Sequence, residues 1–272
     1  MSSDKGIDVK KINMKKIEVF KRTVWSYYGA HKRDFPWRRT RDPYRILVSE
    51  FMLQQTQTYR VEPKYLWFLE RFPSFRALAK APLREVLRAW SGLGYNRRAV
   101  ALKRTAEIVV RDYGGKLPKD IGLLDALPGI GPGTAGAIRA FAFNLPSVFI
   151  ETNIRRAFIH FFFPKRGKIG DDEILDLIEE TLDAKRPREW YWALMDYGAM
   201  LGRLEKENPN RKSAHYKKQS KFEGSTRQLR GAVLRAHLAN PKLSFEAIAR
   251  KICESTERVK MVMELFKEEG IV

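Results

Sequence analysis

Two acidic residues and two glycine-rich turns are the places where residue type and spacing in this chain can do chemistry. Glu50 lies in PYRILVSEFMLQQTQ (43–57), four residues after Ile46, three after Leu47 and three before Leu53. On a helix this spacing puts a carboxylate on the apolar face. Such a group is either paired, or borders a pocket that raises its pKa and lets it act as an acid or base near neutral pH. Glu151 ends the apolar run of FIETNIRRAF (149–158), ahead of Thr152 and Asn153, either of which can cap the next helix. An acid there complements the helix dipole for structural reasons alone, or serves catalysis. LPGIGPGT (127–134) has three glycines in five residues and runs into the small-residue helix TAGAIRAFAF. The backbone N–H groups of such a turn suit a phosphate, and glycine is needed where a Cβ would block the turn or the approach; a plain helix–helix turn uses the same residues. It is not a Walker A loop, since no Gly-Lys-Ser/Thr follows, and GIGPG is not a dinucleotide fingerprint. WSGLGYNRRAV (90–100) sets apolar and aromatic residues on a glycine-flanked turn, followed by Arg97 and Arg98. That suits a wedge pushed into a base stack with phosphate clamps beside it, or an ordinary aromatic loop.

The elements that must position these groups are helical. Apolar residues recur at three- and four-residue spacing over 14–30, 44–53, 64–72, 83–90, 99–112, 134–143, 153–163, 172–182 and 189–201. Pro43, Pro73, Pro82, Gly114-Gly115, Pro118, Pro146, Pro164 and Pro187 punctuate them. LPSVFI (145–150) alone reads as extended, too isolated to make a sheet. Residues 203–225 hold seven basic and three acidic residues and few aliphatic ones, which predicts a basic linker or a groove-lining loop. Three short amphipathic patterns follow at 228–238, 244–253 and 256–272. Their spacing resembles the tri-helical core of a winged-helix or helix-turn-helix domain; a helical appendage packed on the main body would have the same pattern.

Composition bounds the partners. The 272 residues carry 52 Lys+Arg against 32 Asp+Glu, a formal charge of +20, with 44% apolar and 12% aromatic residues to build a core. The net charge is spread, +7 over 1–50, +6 over 51–202 and +7 over 203–272. Heat adaptation raises both signs of charge and does not by itself give such an excess, so a polyanion, most simply nucleic acid, is the expected partner. Cys253 is the single cysteine. That excludes an intramolecular disulfide framework, a multi-cysteine zinc site and a four-cysteine iron–sulfur cluster. No apolar run reaches 18 residues and MSSDKGIDVKKINMKK has no signal core, so no membrane segment is expected, and a cytoplasmic, nucleoid-associated location is.

Taken in order and spacing, PWR (36–38), PYRILVSEFMLQQTQ (43–57), RFPSFRALAKAPLREVLRAWSGLGYNRRAVALKRTA (71–106), LPGIGPGTAGAI (127–138) and ALMDYGAM (193–200) resemble the helix-hairpin-helix DNA glycosylase superfamily. Within it they resemble the adenine DNA glycosylases of MutY type, over about residues 14–202. SEFMLQQTQ and WSGLGY are more specific than the hairpin, which the whole superfamily shares. The resemblance implies a two-lobed all-α fold with a small C-terminal helical appendage. A six-helix barrel ending in the hairpin would span 36–149. Residues 10–35 and 150–202 would form the second lobe, 203–225 a basic linker, and 226–272 the C-terminal domain. Duplex DNA carrying a mismatched or damaged base would lie across the cleft with the target base flipped out, bound by a monomer. Glu50 matches the glutamate that protonates the departing adenine at N7, and Glu151 falls where the family has the aspartate that stabilises the oxocarbenium-like sugar. Gln55 matches the glutamine that fills space at the lesion, and Leu93 and Tyr95 match the probing turn. Gly129, Gly131, Gly133 and Thr134 would grip backbone phosphate, through a bound monovalent cation in many relatives. Arg38 and Asn153 complete the DNA-facing set.

This sequence departs from the family in four ways. Glu151 is one methylene longer than the usual aspartate. Gly133 stands where bifunctional relatives carry a Schiff-base lysine, which implies a monofunctional enzyme. The four cysteines that follow ALMDYGAM in most relatives are missing, so no iron–sulfur cluster is expected; Arg211, Lys212, Lys217, Lys218 and Lys221 would supply the positive surface instead. Residues 226–272 are too short for the domain that reads 8-oxoguanine. The leading expectation is removal of adenine opposite 8-oxoguanine or guanine. The alternatives are a thymine or uracil mismatch glycosylase and a non-catalytic mismatch-binding scaffold.

Overall fold

The computed structural model describes residues 14–218 and 221–272; residues 10–13 of the expected second lobe, and the N-terminal stretch read for a signal core up to Asn13, lie outside them. The described residues form helices α1 (Met14–His31), α2 (Pro43–Leu53), α3 (Thr58–Arg71), α4 (Phe75–Lys80), α5 (Leu83–Trp90), α6 (Arg97–Asp112), α7 (Ile121–Asp125), α8 (Pro132–Phe143), α9 (Thr152–Phe162), α10 (Asp171–Thr181), α11 (Pro187–Leu204), α12 (Thr226–Ala239), α13 (Phe245–Ile252) and α14 (Thr256–Glu268). Two 3-10 turns, Pro36–Arg38 and Pro209–Lys212, join them. Among the described residues there is no β-strand, only an isolated bridge between Ile169 and Ser213, so the fold is all-α as expected. No helix among these residues is long and apolar enough to cross a membrane.

The chain divides into two compact units. Residues 36–130 with 221–272 make the unit that carries Glu50; 14–35 with 131–218 make the unit that carries Glu151. In the Glu50 unit, α2 starts on Asp42, whose carboxylate accepts from the Tyr44 N–H at 2.8 Å, with Pro43 at the first helical position. Tyr44, Ile46, Leu47, Val48, Ser49, Phe51 and Met52 are all buried, so α2 is the core helix and Glu50 is a rare polar position on it. Ser74, Asp120, Ser225, Ser244 and Ser255 cap α4, α7, α12, α13 and α14 through their side chains.

The three C-terminal helices belong to this unit. Arg84 and Arg88 on α5 each donate an Nη2 hydrogen bond of 2.8 Å to the carbonyl of Leu238. That carbonyl lies in the last turn of α12, at the negative end of its dipole. Arg230 pairs with Glu269 at 2.5 Å. The exposed charges of α14 balance: Arg258, Lys260 and Lys267 against Glu257, Glu264 and Glu268. A helix built to enter the groove of a polyanion would carry a positive excess, so the winged-helix resemblance does not extend to the charge of its last helix.

Two boundaries differ from the sequence reading. The units divide between Ile130 and Gly131 rather than at 149–150. The reason is that α8 packs with α11: the Phe141 carbonyl accepts from Arg188 Nε at 2.6 Å, and the Phe149 and Tyr191 rings lie 4.0 Å apart, centroid to centroid. Gly136 on α8 permits this approach, since a Cβ there would lie 2.7 Å from that of Phe149. The expected linker is also folded over much of its length. Pro209, Asn210 and Ser213 are buried, and Asn210 Nδ2 donates to the Thr152 carbonyl at 2.9 Å. The segment to Lys218 thus belongs to the Glu151 unit.

Candidate active site

Glu50 occupies the last turn of α2 and is half-buried among that helix's apolar residues. The chain then turns sharply. Gln55 is exposed and adopts φ 53°, a left-handed conformation that a non-glycine residue holds only when its surroundings impose it. The turn after α5 is built the same way, with Gly92 at φ 94°, Gly94 at φ 74° and Tyr95 at φ 46°. Trp90 Nε1 donates to the Gly94 carbonyl at 3.1 Å and fixes the turn to its own helix.

Two assignments on this turn change. Leu93, read with its neighbours on the turn as part of a wedge, is 3% exposed and faces the core, whereas Tyr95 is 38% exposed. The apolar side chain gains more from burial than from water, by about 2 kcal/mol. Arg98, read with Arg97 as a phosphate clamp, is buried, and its guanidinium donates to main-chain carbonyls; Arg97 alone of the two stays open to solvent. Arg38, half-buried, ends the first 3-10 turn of the same unit.

The three glycines of the hairpin differ in what a side chain would meet. Gly129 has φ 76°, and a Cβ there would fall 2.8 Å from Ala101 Cβ and 2.9 Å from Phe51 Cε1. The turn is therefore seated on α2 and α6 and held by Thr105 Oγ1 on the Pro128 carbonyl at 2.9 Å and Gln54 Nε2 on the Gly129 carbonyl at 3.3 Å. Gly131 caps α8 with no side chain, so the first-turn amides of α8 receive no side-chain acceptor from their cap. That is the arrangement an incoming phosphate oxygen can complete. Gly133 has room for a side chain: a Cβ would lie an ordinary 3.5 Å from the Ile150 carbonyl. Thr134 beside it is half-buried.

In the other unit Glu151 is itself the N-cap of α9, in place of the expected Thr152 or Asn153. Oε1 accepts from the Asn153 and Ile154 N–H groups at 2.8 Å each, and Oε2 from Asn153 Nδ2 at 3.2 Å. Burial pushes its carboxyl above the ordinary value, against those backbone N–H groups and the nearby Arg156 and Arg155, which pull it down. Asn153 is held in turn by Arg156, whose Nη1 donates to Asn153 Oδ1 at 2.9 Å and to the Gly198 carbonyl at 2.8 Å, while Nε donates to Asn208 Oδ1 at 3.1 Å. Gly198, in ALMDYGAM, lets α11 touch α9: a Cβ there would overlap the Asn153 carbonyl. Asp196 in the same motif is fully buried and pairs with Arg33 at 2.5 Å. Sequence reasoning missed Arg156 and Asn210, gave Arg98 a phosphate contact in place of its buried one, and quoted Gly198 only within a motif. Of the basic residues, Arg211, Lys217 and Lys218 are exposed, but Lys212 Nζ donates to the Pro164 carbonyl at 2.6 Å and is part of the fold.

Residues 48–182 match the HhH-GPD superfamily base excision DNA repair protein family. The chain is 37% identical over 196 residues to an adenine DNA glycosylase of Buchnera aphidicola, covering 70% of this chain and 54% of that one. It is 31% identical over 190 residues to a thymine/uracil-DNA glycosylase of Methanothermobacter thermautotrophicus, covering 69% of this chain and 86% of that one. The chain belongs to the HhH-GPD superfamily. A solved thermostable thymine-DNA glycosylase superposes with a TM-score of 0.64 at 29% identity, over 72% of this chain and 91% of that one. This HhH-GPD chain spans about half the length of the Buchnera enzyme. Both carboxylates and the hairpin fall inside the stretch that the superfamily matches.

Proposed function

We propose that this chain is a monofunctional DNA N-glycosylase, working as a monomer, that extrudes a mispaired base from duplex DNA and hydrolyses its N-glycosidic bond, with adenine opposite 8-oxoguanine or guanine as substrate. The observation that carries the proposal is Glu50, a carboxyl held on the buried helix α2 within SEFMLQQTQ, in a chain 37% identical to an adenine DNA glycosylase over 196 residues. Cleavage needs a proton for a poor leaving group and electrostatic support for a cationic sugar. Glu50 donates its proton to N7 of adenine, the C1′–N9 bond breaks with its electrons passing to the base, and Glu151 faces the positive sugar as a carboxylate. Water adds at C1′ and passes a proton to the Glu50 carboxylate, which restores the acid and leaves free adenine and an abasic site. A cation next to Glu151 favours its charged form, which offsets the effect of burial as the sugar ionises.

An iron–sulfur cluster does not fit this chain, because one cysteine cannot supply four thiolates. Main-chain carbonyls of the hairpin are hard oxygen donors of the kind that would hold an alkali cation, and such an ion would add positive charge where the hairpin faces phosphate. Arg211, Lys217, Lys218 and Lys221, all exposed, supply positive surface without a metal. Reversing their charges should weaken duplex binding on every sequence and lower the slope of log affinity against log salt by about one per lost phosphate contact. An unchanged slope would remove them from the interface.

The pH dependence follows from Glu151. Excision requires its carboxylate, so the single-turnover rate should fall on acidification, with a midpoint above the ordinary carboxylate range because its pKa is raised. A rate that is flat through that range would contradict the role. The linkage runs the other way for stability. A raised pKa means the folded state binds the proton more tightly, so the contribution of this group is largest below its unfolded pKa and is lost as pH rises through its folded value.

A second reading has its own support: the thymine/uracil-DNA glycosylase of Methanothermobacter is matched over 86% of its length. Duplexes carrying A opposite 8-oxoguanine, A opposite G, T opposite G and U opposite G, treated with alkali after incubation, separate the two. Cleavage of the A strands alone supports adenine. Cleavage of T or U strands supports the second reading, binding without cleavage refutes both, and breaks before alkali refute a monofunctional enzyme.

A further inference from the structure

Arg98 is a charged group buried among neutral oxygen atoms. Its Nη1 donates to the carbonyls of Phe51 at 2.7 Å, Met52 at 3.1 Å and Gln54 at 2.5 Å. Its Nη2 donates to Thr56 Oγ1 at 3.0 Å and to the carbonyls of Leu93 at 3.3 Å and Gly94 at 3.2 Å. The first three carbonyls end α2, where a helix leaves acceptors without internal partners and concentrates negative dipole. The last two form the turn after α5. The guanidinium also lies 5.4 Å from the ring centroids of Trp90 and Tyr95. Burial lowers its pKa to about 10, which leaves it charged at neutral pH. Arg60, from α3, adds a second donor to the same turn at the Gly92 carbonyl.

Each segment that Arg98 grips carries one exposed, non-glycine residue in the left-handed region: Gln55 at φ 53° and Tyr95 at φ 46°. Such conformations persist only where surrounding contacts fix them. One guanidinium supplies those contacts to both. Its planar fork has donors pointing two ways, which a lysine ammonium on a flexible stem does not reproduce.

We infer that Arg98 is a positioning residue that joins the Gln55 turn and the Gly92–Tyr95 turn into one target-reading element, so that a disturbance of either is felt by the other. The inference rests on the glycosylase function proposed above for its consequence in catalysis, but the coupling itself is a property of the protein without DNA.

The test is a double-mutant cycle. Gln55→Ala and Tyr95→Ala are made singly and together, in the native background and in Arg98→Lys, and single-turnover excision is measured on the duplex that the mismatch panel identifies. In the native background the double variant should depart from the product of the single effects by about fivefold or more, as contacting or networked residues do. In the Arg98→Lys background that departure should vanish. Equal departures in both backgrounds, or none in the native one, overturn the inference. Hydrogen exchange provides a readout independent of activity and of whether Arg98→Lys folds. Tyr95→Ala should speed exchange at residues 54–57, and unchanged exchange there overturns the inference. If the native protein excises no base, the glycosylase function fails while exchange still decides the role of Arg98.

Discussion

Glu50→Gln is expected to abolish base excision while duplex binding persists. The side chain keeps its size and its capacity to hydrogen-bond, so α2 should fold unchanged around a half-buried position whose neighbours Ser49, Phe51 and Met52 are within 1% of full burial. What glutamine lacks is a transferable proton. General acid catalysis contributes roughly 10²–10⁴-fold, and adenine is a poor leaving group without protonation, so a loss near the upper end is expected. Rates under excess protein, together with fluorescence anisotropy on the same duplex, separate chemistry from binding. Excision within about tenfold of native would remove Glu50 from the acid role.

The second large effect is at Gly198. Gly198→Ala places a methyl group where the Asn153 carbonyl now sits, and neither backbone has a flexible end that can yield. Helix α9 must move away from α11, and with it goes its N-cap, Glu151. The same shift breaks the Arg156 bond to the Gly198 carbonyl, which anchors the guanidinium that holds Asn153, the partner of Glu151 Oε2. Overpacking of this kind costs about 3 kcal/mol, which should appear as a clear drop in melting temperature. Well below that temperature, excision should still be slower by about 10²-fold, because a displacement near 1 Å at a reacting group has that effect. A native melting temperature and rate would show that α11 does not set the position of Glu151.

Much of this organisation was legible in the residues. The nine helical segments read from apolar spacing each correspond to a helix, because long amphipathic stretches repeat their signal over several turns. Helices α4 and α7, of six and five residues, were not legible, being too short for a period to show. The unit boundary was misplaced because Arg188 and Tyr191 hold α8 and the segment after it from some fifty residues away in sequence, and local composition carries no trace of that. Leu93 and Arg98 were misread for a related reason. Residue type gave one aliphatic and one basic side chain on a turn, yet the unsatisfied carbonyls ending α2 draw the arginine inward. Gly198 did leave a signal, a glycine inside a helical pattern, which commonly marks close backbone approach. Glu151 as the cap of its own helix was half visible: its place at the helix start was clear, while the preference for its longer side chain over Thr152 or Asn153 was not.

The proposed reaction releases an intact base and leaves the strand unbroken. The most direct measurement is mass spectrometry of both products from an adenine opposite 8-oxoguanine duplex, incubated with excess native protein and quenched without alkali. Free adenine in amounts equal to a full-length strand lacking that base is the predicted result. A duplex recovered bound but unaltered, or a strand cut at the site without alkali, would contradict it.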